Sequence, residues 1–272
     1  MAPIVQIRLG RVGDTDLVET TLATHEFPRH THDAFTVALV DEGCFQFTAN
    51  GATHTCPRGS FVLINPGEVH TGRAIKEAGT ARYRTASPSE ADLRRLLGES
   101  PPLETGAARA PGLARRFAAL FTLGDATDEV STLRDLWAEL FGRFRAAPAR
   151  GGDSRRDGLV TAMIAHFRDH LAESDVLGSA ARRLGYHPGY LSRVFRAHTG
   201  LPPHGFLLQL RTERARQLLA GAGRVAEVAI ATGFVDQSHL TRHFRAFFGV
   251  PPRRYQRRLG VRFLQEPEAG PA

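Results

Sequence analysis

Three histidines in the N-terminal half have the side-chain type and spacing that a metal ion or a small polar ligand needs. His30 and His32 are two residues apart in RHTHDAFTVALVDEG, so on a strand their imidazoles point to one face. His70 ends PRGSFVLINPGEVH, directly after a Pro-Gly turn. If the two strands face each other, the three imidazoles converge, and three imidazoles can hold zinc or iron with an open coordination position.

A second set of candidate residues lies in a repeat in the C-terminal half. LSRVFRAHTGLPP begins at Leu191 and LTRHFRAFFGVPP begins at Leu240, and 8 of the 13 positions are identical. In each copy the leucine and the phenylalanine four residues later share a helical face, and two arginines lie off that face. Arginine and glutamine read guanine and adenine edges in the major groove. The repeat therefore predicts two helices that read DNA within one chain.

The segments before the two copies provide the elements that must position these helices. Each has apolar residues at i, i+3, i+4 and i+7, which is helical spacing, followed by a glycine and an aromatic residue. The glycine supplies the positive φ that ends the first helix, so each copy is a helix-turn-helix unit. Two such units about 34 Å apart would enter successive major grooves. The apolar positions are Leu177, Ala180, Ala181 and Leu184 in the first copy and Val225, Val228, Ala229 and Thr232 in the second.

The charge distribution favours a polyanionic partner for the C-terminal half. The chain has 272 residues and a net charge of +7, but residues 155–262 alone hold 18 arginines and 7 acidic residues, a net charge of +11. The rest of the chain is slightly acidic. An arginine-rich genome explains why arginine replaces lysine, but it does not explain this asymmetry. The alternative is a plain helical bundle with solvated arginines.

Residues 1–85 are typical of an all-β sandwich or barrel, with short strands separated by turns such as Asn50-Gly51. A two-residue turn there predicts a hairpin in which Cys56 lies opposite Phe45 while Cys44 faces the other way. A disulfide is therefore not expected, which agrees with a reducing cytoplasm. The sequence also predicts no membrane span and no signal peptide.

The pattern changes after residue 85. SPSE predicts a helix with Ser87 as its cap that ends near Leu97. An apolar stripe over Leu133–Phe144 predicts a second helix, which either packs on the barrel or forms a homodimer. The predicted divisions are a barrel at 1–85, a helical segment at 86–146, a linker at 147–158, a DNA-binding domain at 159–262 and a flexible tail at 263–272.

Residues 174–258 resemble the AraC/XylS family of transcription regulators, and GFVDQSHLTRHFRAFFGVPPRRYQ is very close to the family signature. In LGYHPGYLSRVFRAHTGLPP, His187 stands where the family often has a serine cap and Gly189 at a position that often contacts bases. Residues 202–220 resemble the long helix that joins the two units. The resemblance and the repeat together predict DNA contacts by Tyr190, Ser192, Arg193, Arg196, Gln237, Ser238, His239, Thr241, Arg242 and Arg245.

The two histidine-containing stretches resemble the conserved segments of a cupin barrel. The sequence departs from the metal-binding members, since Thr36, Asn65 and Ala74 replace a glutamate, a proline and an asparagine. These departures favour a small-molecule sensor without a metal, with the three histidines as the candidate ligands if a divalent metal does bind. The predicted ligand-lining residues are His30, His32, Phe35, Asn65, Glu68 and His70.

The predicted protein is α+β and multidomain: a cupin-like β-barrel plus helices, then an all-α domain with two helix-turn-helix units. The predicted function is a transcription regulator that binds double-stranded DNA, responds to a small-molecule effector, is not an enzyme and acts in the cytoplasm. Resemblance favours activation with RNA polymerase as partner. The alternatives are a metal-dependent cupin enzyme with a basic accessory domain, and an architectural DNA-binding protein whose barrel binds no ligand.

Overall fold

The computed structural model describes residues 5–12, 15–122, 129–147, 154–221 and 223–258. Contacts divide the chain into two compact units, one mainly of residues 31–148 and the other mainly of residues 149–257. The first unit is built on strands and the second on helices, which confirms the predicted fold class. Among the described residues, no helix is both long enough and apolar enough to cross a membrane.

The N-terminal unit contains two sheets. One has six strands in the order β1-β2-β9-β4-β7-β10, and the other has four in the order β3-β8-β5-β6. Phe45 and Tyr83 lie on different sheets with ring centroids 5.0 Å apart, so the sheets pack face to face. The strands are β1 (Val5–Val12), β2 (Thr15–Leu22), β3 (Glu26–His30), β4 (Thr36–Glu42), β5 (Cys44–Ala49), β6 (Ala52–Pro57), β7 (Ser60–Ile64), β8 (His70–Ala74), β9 (Ala81–Ser87) and β10 (Gly106–Arg109).

The hairpin of β5 and β6 has the predicted register. Phe45 pairs with Cys56, and both cysteines are free thiols. Asn50 and Gly51 form the turn with φ values of 51° and 78°. Positive φ at both central residues is the conformation that suits the right-handed twist of a hairpin, and Asn-Gly adopts it readily.

Helices α1 (Glu90–Leu97), α2 (Pro111–Ala119) and α3 (Glu129–Arg143) complete this unit. α1 ends at Leu97 as predicted, but the predicted cap at Ser87 is wrong. Ser87 is the last residue of β9, where it pairs with Asp16. The cap is Ser89, whose hydroxyl accepts from the Asp92 N–H at 3.1 Å while the Asp92 carboxylate accepts from the Ser89 N–H at 3.0 Å. This reciprocal pair is a capping box shifted by two residues.

Aromatic side chains join the six-stranded sheet to α2 and α3. Phe61 of β7 packs edge-to-face on Phe117 of α2, and Phe35 packs on Phe141 of α3 with ring centroids 4.9 Å apart. Trp137 is fully buried in the same core. The apolar stripe of α3 therefore packs within its own unit, the first of the two predicted alternatives, and a homodimer would have to use another face.

The C-terminal unit consists of helices joined by short turns. Its first helix begins at residue 154, inside the predicted linker 147–158, of which residues 148–153 lie outside the described ranges. The predicted tail 263–272 lies outside them as well. The helices are α4 (Ser154–Asp169), α5 (Val176–Leu184), α6 (Pro188–Thr199), α7 (Pro203–Ala220), α8 (Val225–Ala231), α9 (Gln237–Phe248) and α10 (Pro252–Arg258).

Candidate nucleic-acid interface and candidate effector site

The first helix-turn-helix unit is α5 and α6. α5 ends at Gly185, whose φ of 74° is in the left-handed region. His187 then caps α6: its Nδ1 accepts from the Gly189 N–H at 3.1 Å, and Pro188 takes the first helical position. His187 thus performs the capping role of the serine that is frequent at this position in the family. A proline at the first turn loses no helical hydrogen bond, which strengthens this start.

The second unit, α8 and α9, repeats this design with different residues. Gly233, with φ 79°, forms the turn, and Asp236 caps α9 by accepting from the His239 N–H at 2.7 Å. A carboxylate at this end of a helix also interacts favourably with the helix dipole. α9 ends at Gly249, again with a left-handed φ, of 73°.

Arg211 of α7 connects the two units and was not singled out by the sequence. It is only 9% exposed. Its Nε donates to the Leu171 carbonyl and its Nη2 to the Glu173 carbonyl, both at 2.7 Å. A signal exists in the sequence, because Arg211 falls on the buried stripe of α7 that Leu207 and Ala215 share at four-residue spacing. An arginine on such a stripe must find partners inside the protein.

The two recognition helices, α6 and α9, bury one face and expose the other. Leu191 and Phe195 of α6 are fully buried, as are Leu240 and Phe244 of α9. The structure leaves the predicted DNA-binding residues on the accessible sides. Seven are exposed (Tyr190, Arg193, Arg196, Gln237, Ser238, Arg242 and Arg245), and Ser192, His239 and Thr241 are half-buried.

Two features modify this surface. The ring of His239 packs edge-to-face on Phe234 at 5.2 Å, so part of it supports the turn. Val235, which precedes the cap of α9, is 78% exposed. The sequence analysis did not select it, although an apolar side chain at the start of a recognition helix can contact a thymine methyl group. In RRYQRR the middle residues face inward, since Tyr255 is buried and the Gln256 amide donates to the Gly223 carbonyl at 2.8 Å.

The three histidines of the N-terminal unit come together. His30 ends β3 and His70 begins β8, and these strands are neighbours in the four-stranded sheet. One ring nitrogen of each, with one of His32, all lie within 4.8 Å of one another. His30 and His70 are buried and His32 is exposed. Burial lowers the pKa of His70, only partly opposed by Glu68, and this favours a neutral imidazole.

The other predicted lining residues are engaged with the chain itself. The Glu68 carboxylate accepts from the Asn65 backbone N–H at 3.1 Å and from the Thr105 hydroxyl. The Asn65 side chain donates to the Leu103 carbonyl at 2.8 Å and accepts from the Leu103 N–H at 2.7 Å. Phe35 is only 2% exposed and belongs to the core. The structure therefore gathers the histidines, while a ligand role for Asn65, Glu68 and Phe35 stays a prediction.

Comparisons with known proteins agree with both halves. Residues 12–141 match the family model of the AraC-like ligand binding domain, and residues 180–258 match that of a helix-turn-helix domain. The HTH-type transcriptional activator RhaS of Escherichia fergusonii is 27% identical over 249 residues, which cover 87% of this chain and 90% of that protein. RhaS of Salmonella arizonae is 26% identical with the same coverage.

Solved structures of ToxT from Vibrio cholerae have the same fold over nearly the whole chain. One, an apo variant, is 12% identical with a TM-score of 0.61 and covers 95% of this chain and 98% of its own. Another, described as bound to an unsaturated fatty acid, is 10% identical with a TM-score of 0.60 and covers 95% of this chain and 96% of its own. At this identity the likeness concerns the fold alone.

Proposed function

Because the chain belongs to the AraC/XylS family of transcription regulators, we propose that it activates transcription by binding promoter DNA with α6 and α9, under the control of a small molecule bound in its N-terminal unit. The observation that carries this proposal is the repeated exposure pattern. Each recognition helix buries its leucine and phenylalanine and exposes its two arginines. A core face opposite a basic face is what a helix needs to lie in a major groove while its domain stays folded.

The residues fall into two kinds of contact. Side chains near the start of each recognition helix, such as Gln237 and Arg242 of α9, are proposed to read base edges. Arginines one turn further on, Arg196 and Arg245, are proposed to bind phosphates, which fix the register without reading sequence. In α6, Gly189 offers no side chain at an early position, so Ser192 and Arg193 carry the reading there.

The spacing of the two heads follows from α7. Its 18 residues span about 27 Å at 1.5 Å per residue. A connection of that length suits two units placed about one DNA turn apart. One chain then contacts two successive major grooves, for which a single-headed regulator needs two chains.

The remaining parts of the proposal concern partners and setting. Relatives named as transcriptional activators support RNA polymerase as the partner of the bound regulator. The protein is proposed to act in the cytoplasm, where promoter DNA lies. For the histidines of the N-terminal unit we propose a binding role rather than a catalytic one, with a small polar effector as the ligand.

Footprinting on the DNA upstream of its own gene tests the proposal. The full chain, at concentrations where it is monomeric, is expected to protect two stretches centred about 10 base pairs apart on one face of the duplex. Binding must weaken steeply with salt, because each neutralised phosphate releases counterions. Protection of a single stretch, or protection only by assembled chains, would refute the two-headed arrangement.

The effector can be sought by thermal shift with the same protein. A ligand that binds only the folded state stabilises it by about 2.7 kcal/mol at a concentration of 100 times Kd. A true effector must both raise the melting temperature and change promoter occupancy. A molecule that does the first without the second is a ligand but not an effector.

A further inference from the structure

The histidines of the N-terminal unit form a compact cluster of nitrogen donors. Their ligand atoms lie within 4.8 Å of one another on two neighbouring strands and the turn after β3. We propose that His30, His32 and His70 are an open three-imidazole site for a divalent transition metal. The proposal rests on the ligand-binding role of this unit and names the chemistry of its ligand; it does not depend on DNA binding.

Hydrogen bonds to backbone carbonyls set the tautomers of the two buried rings. The Nδ1 of His30 lies 2.7 Å from the Pro28 carbonyl, and the Nδ1 of His70 lies 2.9 Å from the Glu68 carbonyl. A carbonyl only accepts, so each Nδ1 carries the proton and each Nε2 carries the lone pair. A ring N–H donated to a carbonyl while the other nitrogen binds the ion is the usual arrangement of metal-ligating histidines.

The distances require a small closure. Two imidazole nitrogens on a tetrahedral zinc are about 3.4 Å apart, given Zn–N bonds of about 2.0–2.1 Å. The three donors, now within 4.8 Å of one another, therefore need to approach by at most about 1.4 Å. His32 is the exposed member, so a rotamer change of its ring supplies most of that movement while the buried rings stay in place.

The donor set selects the class of metal and leaves room for a further ligand. Imidazoles suit zinc, copper, iron and nickel, whereas magnesium and calcium prefer oxygen. Glu68 does not complete the set, because its carboxylate already accepts from Asn65 and Thr105. Three protein ligands leave a coordination position that a water molecule or an oxygen of an effector would fill.

The C-terminal unit contains a second histidine pair, which serves as the control. The rings of His166 and His170 are stacked at 4.2 Å. His170 is paired with the Glu173 carboxylate at 2.6 Å, and the Nε2 of His166 lies 2.8 Å from the Ser179 hydroxyl. These partners already use the nitrogens, so this pair is not expected to contribute to binding.

Zinc titration of the purified full-length protein tests the site. Wild-type protein stripped with a chelator is expected to bind a single zinc ion per chain by calorimetry, and cobalt is expected to give the visible absorption of a nitrogen-rich site. His30→Gln, His32→Gln and His70→Gln should each weaken zinc binding at least about 10-fold, as losses around metal centres do. His54→Gln, a histidine of the same unit outside the cluster, and His170→Gln should bind as wild type does.

Circular dichroism and melting establish that each variant is folded. His32 is exposed, so His32→Gln remains decisive even if a buried variant unfolds. Zinc binding that is absent in the wild type, unchanged in folded His32→Gln, or lost in His170→Gln would overturn the proposal. DNA binding is measured on the same preparations in chelator: a protein that binds DNA without zinc would refute only the metal site, and one that binds zinc without DNA would refute only the regulator.

Discussion

Replacing Gly233 by alanine should destabilise the DNA-binding half far more than the same change at Gly185, although the two glycines occupy equivalent turns. Both have a positive φ, 79° and 74°, which costs an L residue about 1–2 kcal/mol. Their surroundings differ. A Cβ added at Gly185 meets nothing within 4 Å, whereas one at Gly233 would lie 2.5 Å from the Leu171 carbonyl oxygen and 2.9 Å from the Ala172 Cα.

The additional cost comes from what that carbonyl does. It accepts the Nε–H of buried Arg211 at 2.7 Å, so moving it out of the clash weakens a hydrogen bond to a charged group, worth about 1.5–3 kcal/mol. Gly233→Ala is therefore expected to lower the free energy of unfolding by about 3–5 kcal/mol. Gly185→Ala is expected to lower it by about 1–2 kcal/mol, from the backbone conformation alone.

Urea unfolding of the full chain with two probes measures the difference. Trp137 is the single tryptophan and is buried in the N-terminal unit, so its fluorescence follows that unit, whereas far-UV circular dichroism is dominated by the helices of the C-terminal unit. Gly233→Ala should shift the dichroism transition and leave the fluorescence transition in place. Equal losses in the two variants would show that the close approach to Leu171 has no energetic consequence, and the reasoning would fail.

Three further outcomes are expected. Arg242→Ala should cost about 1–3 kcal/mol of specific DNA binding in an anisotropy titration, while Arg214→Ala, an exposed arginine of α7, should cost little; equal losses would contradict base reading by Arg242. Asp236→Ala should lower the dichroism midpoint by about 1 kcal/mol through loss of the α9 cap, with Asp236→Asn near wild type. Asn65→Ala should cost about 1–3 kcal/mol in the fluorescence transition, because it leaves the Leu103 backbone groups without their bonds; an unchanged midpoint would show that water replaces them.

The elements that the sequence predicted correctly are those whose signals are local. An Asn-Gly pair allows one kind of hairpin turn, so the register that places Phe45 opposite Cys56 follows from it. A glycine followed by an aromatic residue, after apolar residues at helical spacing, likewise predicts both helix-turn-helix units. β10 gave no such signal: Gly106–Arg109 reads GAAR, without β-branched or aromatic residues, and it is a strand because it pairs with β7. Pairing between distant segments overrides weak local propensity.

The candidate effector site shows the same limit at the level of side chains. Asn65 and Glu68 follow a buried strand, and a polar residue there can face a ligand or hold its own turn; the structure shows them holding the turn. That turn also presents the Glu68 carbonyl to His70. Through Asn65 it is bonded to Leu103, which forms a β-bridge with Arg145. The polar residues that were predicted to touch a ligand thus fix the histidines and tie them to the chain just before the predicted linker. A ligand on the histidines acts first on this bonded turn, because its backbone is the nearest group that must move when the rings close.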